Sequence, residues 1–177
     1  MPCLQHLFDN KDKLTNLLDQ LEGGKQLPIY YSVDIRDAGF KLSVVDTNLF
    51  PSGFNNIATS DLNASVPILR SSILNLVPNT KRVLLVIENH TRNTWYLENV
   101  VVIQKMLRDA GFDVKICSNI IQELEPNCQS ICLQSAKGND VVIFDLAQII
   151  SDIKLGIQDF DFVFLNNDLI SGIPAEF

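Results

Sequence analysis

The sequence has no apolar run approaching the ~18 residues of a membrane-spanning helix. Its N-terminus, with Asp9 and Asp12 among the first polar residues, lacks the unbroken apolar segment of a signal peptide. Both absences lead us to expect a soluble, cytoplasmic protein. Lysine and arginine number only 14 against 21 acidic residues, for a formal charge of −7. The basic residues form no cluster, which argues against nucleic-acid and anionic-membrane partners. Glycine is also sparse where phosphate chemistry would want it. There is no Walker-type loop and no glycine-rich flap, and no pair of carboxylates has metal-binding spacing. Four cysteines in 177 residues are too few for a disulfide scaffold. Cys128 and Cys132 would share a helical face, and Cys3 with His6 offers a second ligand pair. Neither pair has the two-residue spacing of the usual zinc knuckle, so buried free thiols are expected instead. Repeats and low-complexity tracts are missing too. With 46% hydrophobic and 20% charged residues, the chain reads as a single domain, 1–177, with a sizeable core.

What is there is organised around Val83 to Gly111, VLLVIENHTRNTWYLENVVVIQKMLRDAG. Val83 to Ile87 is an apolar run rich in β-branched residues, the pattern of a strand buried on both faces. It gives way to Glu88, Asn89, His90, Thr91, Arg92 and Asn93. Tyr96, Val100, Ile103, Leu107 and Ala110 then recur at the spacing of one helix face. Asn93 or Thr94 is suited to cap that helix, and Gly111 to end it in a left-handed conformation, with Arg108 near the negative end of its dipole. Phe112 to Cys117 reads as the next strand, so the unit is βαβ. In open α/β sheets, ligands sit outside the carboxyl ends of the strands, and the polar stretch Glu88 to Asn93 occupies that place. An ordinary solvated loop would be polar as well, and the pattern alone leaves both readings open.

Toward the N-terminus, Leu4, Leu7, Phe8, Leu14, Leu17, Leu18 and Leu21 outline an amphipathic helix stopped by Gly23 and Gly24. IYYSVD and FKLSVVD read as strands around the turn RDAG. Being about five residues apart they must pair antiparallel, since a parallel crossover needs a dozen or more. Asp34 and Arg36 are then expected at one rim, and Asp46, Thr47 and Asn48 at the other. An Arg36 ion pair with Asp34 or Asp37 in the turn is expected in preference to a ligand role. The loop TNLFPSGFNN combines apolar Leu49, Phe50 and Phe54 with the amides of Asn48, Asn55 and Asn56, so it either staples itself to the domain or lines a pocket. Leu62, Val66, Leu69, Ile73 and Leu76 predict a helix starting near Ser65 or kinked at Pro67, and ended by Pro78. Residues 120–137 are left unassigned. Val141 to Leu146 and Phe160 to Leu165 read as strands, the second discharging into Asn166, Asn167 and Asp168. If the strands at Val83 and Phe160 are parallel in one sheet, their polar loops meet. The expected fold is therefore α/β: an open, mostly parallel, Rossmann-like sheet with flanking helices and one antiparallel hairpin.

Three stretches carry a family likeness: SVDIRDAGFKLSVVDTNLFPSGFNN (Ser32 to Asn56), ENHTRNTWYLENV (Glu88 to Val100) and FLNNDLISGIP (Phe164 to Pro174). In this order they resemble the N-terminal region of the proteobacterial glutamate–cysteine ligase family, which is related to the ATP-grasp ligases. The resemblance implies the first step of glutathione synthesis. In that step ATP phosphorylates the γ-carboxylate of glutamate, and the amine of cysteine displaces phosphate to give γ-glutamylcysteine. It also implies ATP and Mg2+ as requirements of the full-length family. Members are much longer than this chain, and their ATP-binding half is expected beyond its last residue. The sequence therefore reads as the substrate-side domain, truncated or split from a separate ATP-binding half, binding neither ATP nor Mg2+ alone.

On that reading glutamate and cysteine are the ligands, and the site needs a guanidinium, acceptors for an ammonium and oriented amides. Arg92 is the natural carboxylate clamp. Asp34, Glu88 or Asp168 can take the ammonium, while Asn48, Asn55, Asn89 and Asn167 orient the rest. His90 either satisfies a loop carbonyl or joins the chemistry. Trp95 and Tyr96 are expected in the core. Two other readings remain at this stage: a stand-alone, non-catalytic amino-acid-binding module, and a remnant that binds nothing.

Overall fold

A computed structural model describes residues 2–25, 27–89, 92–125 and 127–168. The chain forms two compact units, Met1–Leu49 and Phe50–Phe177.

In the first unit the N-terminal leucine stripe folds as two helices, α1 (Pro2–Asp9) and α2 (Lys11–Glu22), where the sequence predicted one. The break falls at Asn10. Its side chain donates to the His6 carbonyl at 2.9 Å, and such a local bond competes with helix continuation. Gly23 ends α2 at φ +48°. Strands β1 (Ser32–Asp37) and β2 (Leu42–Asn48) form a separate two-stranded antiparallel sheet. Their turn lies further along the chain than RDAG. Gly39, at φ +84°, donates its amide to Asp37 Oδ1 at 2.7 Å, so Arg36 and Asp37 remain in the strand. No ion pair of Arg36 occurs among the described residues. The register also corrects the expected rims. Ser32 pairs with Asn48 and Asp34 with Asp46, because residues near the open end of a hairpin face each other across the ladder. Two carboxylates directly opposite repel, and the ladder is irregular immediately after them, between Asp34 and Ile35.

The second unit is built on a five-stranded sheet. Its strands are β3 (Arg82–Ile87), β4 (Asp113–Ser118), β5 (Ser130–Gln134), β6 (Asp140–Asp145) and β7 (Phe162–Asn166), ordered β5-β6-β4-β3-β7. All neighbours run parallel except β5 on β6. The helices are α3 (Thr59–Leu76), α4 (Thr94–Asp109), α5 (Ile121–Leu124) and α6 (Leu146–Lys154). The mostly parallel α/β architecture with a separate hairpin is the one expected. The antiparallel β5 emerges from the stretch left unassigned.

Val83 to Ile87 are completely buried, as the two-faced apolar run requires. Leu84 and Val86 pack with Cys117, Leu146 and Ile149, against Phe160 and Val163. Each such aliphatic side chain contributes about 1.5–3 kcal/mol on burial. Helix α4 buries Leu97, Val100, Ile103 and Leu107 and lies against β4 and α3. Helix α3 starts at Thr59, earlier than predicted, and runs through Pro67. Both Pro67 and Asn63, whose carbonyl loses its usual donor there, are exposed, so the missing amide is lost on a solvated side of the helix. The expectation of buried thiols holds for Cys117, whose burial pushes its pKa far up. It fails for Cys128, which is half-buried, and for Cys132, which is exposed on the edge strand β5. The side chain of Cys3 lies outside the described set.

Gly111 closes α4 at φ +89°. A Cβ there would lie 2.8 Å from Nη1 of Arg70, whose guanidinium donates to the Ala110 carbonyl and stacks 5.7 Å from the Phe112 ring. Gly111→Ala is expected to destabilise the protein by about 1–2 kcal/mol, the penalty of a left-handed residue bearing a Cβ. Urea unfolding checks this: the midpoint falls with the slope unchanged, and an unmoved midpoint contradicts it.

Candidate functional site

Register places the site. In the parallel pairing of β3 with β7, Ile87 stands beside Asn166, so the two polar segments that follow leave the carboxyl rim side by side. They are bonded to each other. Asn167 Nδ2 donates to the Ile87 carbonyl at 2.9 Å, and the Asp168 amide donates to Glu88 Oε1 at 2.6 Å. From the end of β4, Ser118 Oγ donates to Asn89 Oδ1 at 2.7 Å.

Helix α4 adds a second layer. Asn93 Oδ1 accepts from the amides of Trp95 (3.1 Å) and Tyr96 (3.2 Å), which fixes the helix start where the sequence allowed either Asn93 or Thr94 as cap. Tyr96 is buried, and its hydroxyl accepts from the Glu88 amide at 2.8 Å and donates to the Asn166 carbonyl at 3.3 Å. One turn on, buried Asn99 donates to Asn166 Oδ1 at 3.4 Å and accepts from the Phe54 amide at 2.9 Å. Asn166 Nδ2 donates to the Pro51 carbonyl at 2.9 Å. The loop from Pro51 to the 3-10 turn Phe54–Asn56 is thus strapped to the rim through its backbone. Gly53 allows the bend at φ +94°.

Between the strap and α4 lies a depression of about 450 Å3. Asn55, Asn56, Asn93 and Asn99 line it, with Ser52, Gly53, Trp95 and Tyr96. Amides both donate and accept, so this lining suits a small ligand with groups of both kinds. Trp95 is 59% exposed there, contrary to the core position expected. Tyr96 is buried as expected, but its hydroxyl works in the rim network.

Close to Asn99, Glu98 is buried at the junction of α4 with the β5–β6 turn. Its Oε2 accepts from Ser135 Oγ at 2.6 Å and Asn139 Nδ2 at 3.3 Å, and Lys137 Nζ lies 3.6 Å from Oε1. Burial alone would raise its pKa. The bonds from Ser135, Asn139 and the Lys137 amide, with the lysine charge, outweigh burial and hold it below the ordinary value.

Of the residues singled out from sequence, Glu88, Asn89, Asn167 and Asp168 converge on the rim, and Asn55 lines the depression beside it. Arg92 stands exposed immediately before the cap. Asp34 and Asn48 belong to the first unit, and His90 lies outside the described residues. Tyr96 and Asn99 were missed as network members. The available signal was an asparagine three residues after a tyrosine, bordering the apolar stripe of α4.

The profile of the glutamate-cysteine ligase (GshA) family matches residues 5–177. The chain belongs to the glutamate-cysteine ligase family. A crystal structure at 1.90 Å of a Methylobacillus flagellatus KT protein, provisionally assigned as a gamma-glutamylcysteine synthetase, superposes with a TM-score of 0.80 at 34% identity. The match covers 96% of this chain but 39% of that one, so the chain spans well under half the length of this ligase-family relative. No curated protein matches it.

Two outcomes follow from this geometry. Tyr96→Phe removes the hydroxyl that accepts from the Glu88 amide and donates to the Asn166 carbonyl, and is expected to cost about 1–3 kcal/mol. Urea unfolding measures the loss, and a neutral effect would remove Tyr96 from the network. Glu98 has a lowered folded pKa, so its contribution is present above the unfolded value of about 4.3 and is lost as pH falls through the folded one. Glu98→Gln should therefore lower the urea midpoint at pH 7, by an amount that shrinks below about pH 4. A gap independent of pH contradicts the assignment.

Proposed function

We propose that this chain supplies the amino-acid side of a glutamate–cysteine ligase, working with an ATP-binding part of the enzyme to form γ-glutamylcysteine, the first step of glutathione synthesis. The observation that carries the proposal is the pairing of Ile87 with Asn166, which joins two polar loops at the carboxyl rim of a ligase-family chain, beside an amide-lined depression. Glutamate and cysteine each present a carboxylate and an ammonium on one carbon. Arg92 clamps a carboxylate. Glu88 or Asp168 takes an ammonium, and Asn89, Asn55 and Asn167 orient the remaining groups. The same reading takes the protein as cytoplasmic.

ATP and Mg2+ belong elsewhere in the enzyme on this proposal. At the start of α4 the amides of Trp95 and Tyr96 are taken by the Asn93 side chain, and the depression is lined by no lysine or arginine. Neither feature suits a triphosphate. The phosphorylation step is assigned to the ATP-binding part.

The test is to incubate the chain with ATP, Mg2+, glutamate and isotope-labelled cysteine and to detect γ-glutamylcysteine by mass spectrometry. The expected result is no product from the chain alone and product once an ATP-binding part is supplied. Product from the chain alone would overturn the division of labour. In the reconstituted enzyme, Arg92→Ala should lower kcat/KM for glutamate about 10–100-fold, the loss of one charge-assisted contact. Near-normal activity would remove Arg92 from the site.

A further inference from the structure

The depression between the strap and α4 has no charged side chain in its lining, and every lining residue belongs to the second unit, so its shape is set within that unit. Its amides are not used up by the fold. Asn93 spends its oxygen on the start of α4, which leaves Asn93 Nδ2 without a partner among the described residues. Asn55 Nδ2 reaches Asn56 Oδ1 at 3.5 Å, and Asn55 Oδ1 and Asn56 Nδ2 are likewise unpartnered there. The lining thus offers donors and an acceptor beside the exposed indole of Trp95.

We infer that this depression holds cysteine and that glutamate is left to the charged residues Arg92, Glu88 and Asp168, which do not line it; the inference rests on the function proposed above. Charge separates the two substrates. Glutamate carries a second carboxylate, and taking that group out of water beside amides alone is costly. Cysteine has no net charge at neutral pH, and amides supply a donor for its carboxylate and an acceptor for its ammonium. Its sulfur is a small, polarisable, largely apolar group that packs well at the edge of an aromatic ring such as that of Trp95. Reactivity separates them as well. Cysteine attacks through its amine: the N–C bond forms as the bond from that carbon to phosphate breaks, and two protons leave the ammonium, one to the released phosphate and one to water. A carboxylate against the ammonium would hold it protonated, whereas the uncharged Asn55 oxygen does so far less. The amine of glutamate does not react, and Glu88 or Asp168 suits it.

Trp95 is the chain's one tryptophan, so its emission reports on the depression. The experiment titrates the chain, kept reduced, with L-cysteine and with L-glutamate. The expected result is a saturable change, distinct from the linear quench of a colliding thiol, with half-saturation by cysteine about tenfold below that by glutamate. Asn55 is half-exposed and makes only the long bond to Asn56, so its variants should fold. Asn55→Ala should weaken cysteine binding about tenfold, and Asn55→Lys, which adds a cation, should erase the preference over glutamate. Equal or tighter glutamate binding by the parent, a linear response alone, or a preference unmoved by Asn55→Lys would overturn the inference. In the enzyme reconstituted with its ATP-binding part, Asn55→Ala should raise KM for cysteine and leave KM for glutamate unchanged. The reverse pattern would overturn the inference and leave the functional reading standing. Saturable cysteine binding with no product from the reconstituted enzyme would support the depression as the cysteine site and overturn that reading.

Discussion

A single buried carboxamide holds the candidate site together. Asn166, at the last position of β7, is bonded through its side chain to Asn99 on α4 and to the Pro51 carbonyl in the strap, while its own carbonyl accepts from Tyr96. Helix, strap and sheet edge are thereby joined at one residue with almost no exposure. Buried amides are costly unless satisfied, and here satisfaction requires all three segments to be present at once. The polar network therefore specifies a geometry that packing alone would leave loose. Tyr96 extends it to Glu88, and through Glu88 to Asp168, so the first residues after β3 and β7 are bonded to each other.

The fold was largely legible because its strongest signals are local. A run of five buried apolar residues, a capping asparagine, a helical stripe and a terminal glycine all agree in the β3–α4–β4 unit, and each is read correctly within a residue or two. The meeting of the two polar loops was also readable, since two parallel strands that each end in amides leave little choice. Other features depend on long-range contacts or on water. Lys11 interrupts the leucine stripe in the sequence, yet the helix break itself is a hydrogen bond from Asn10 to His6. Pro67 is tolerated because its side of α3 is solvated. The hairpin rims were misassigned because the register, with Asp34 across from Asp46, follows from a turn that begins only after Asp37, so that half of RDAG belongs to the strand.

At the site, side-chain type was informative and partnership was not. Glu88, Asn89 and Asn167 stand out in sequence as polar residues after strands, and they share the rim. Asn99 looks like an ordinary helical residue and Tyr96 like an ordinary core aromatic until Asn166, 67 and 70 positions away in the chain, is brought beside them. Their bonds are non-local, so no periodicity encodes them. Trp95 shows the converse. Its type suggests burial, but it belongs to the first turn of a helix whose opposite side faces the sheet, and it borders the depression instead.

The amino end of β7 carries a feature with mechanical consequences. Asp161 accepts from the amides of Lys81 (2.9 Å) and Arg82 (2.8 Å) and from the Arg82 guanidinium (3.0 Å), and its own amide donates to the Arg82 carbonyl. The bond from the Arg82 side chain, with those from the two amides, keeps its carboxyl ionised well below the usual carboxylate range. Strand β7 is thus fastened to β3 at both ends, by the Asp161 carboxylate at one and by the Asn167 carboxamide on the Ile87 carbonyl at the other. A slip of one residue would break both fastenings and turn Phe164 and Val163 onto each other's faces. The register of β7 on β3 is thus set from both rims of the sheet rather than by packing alone.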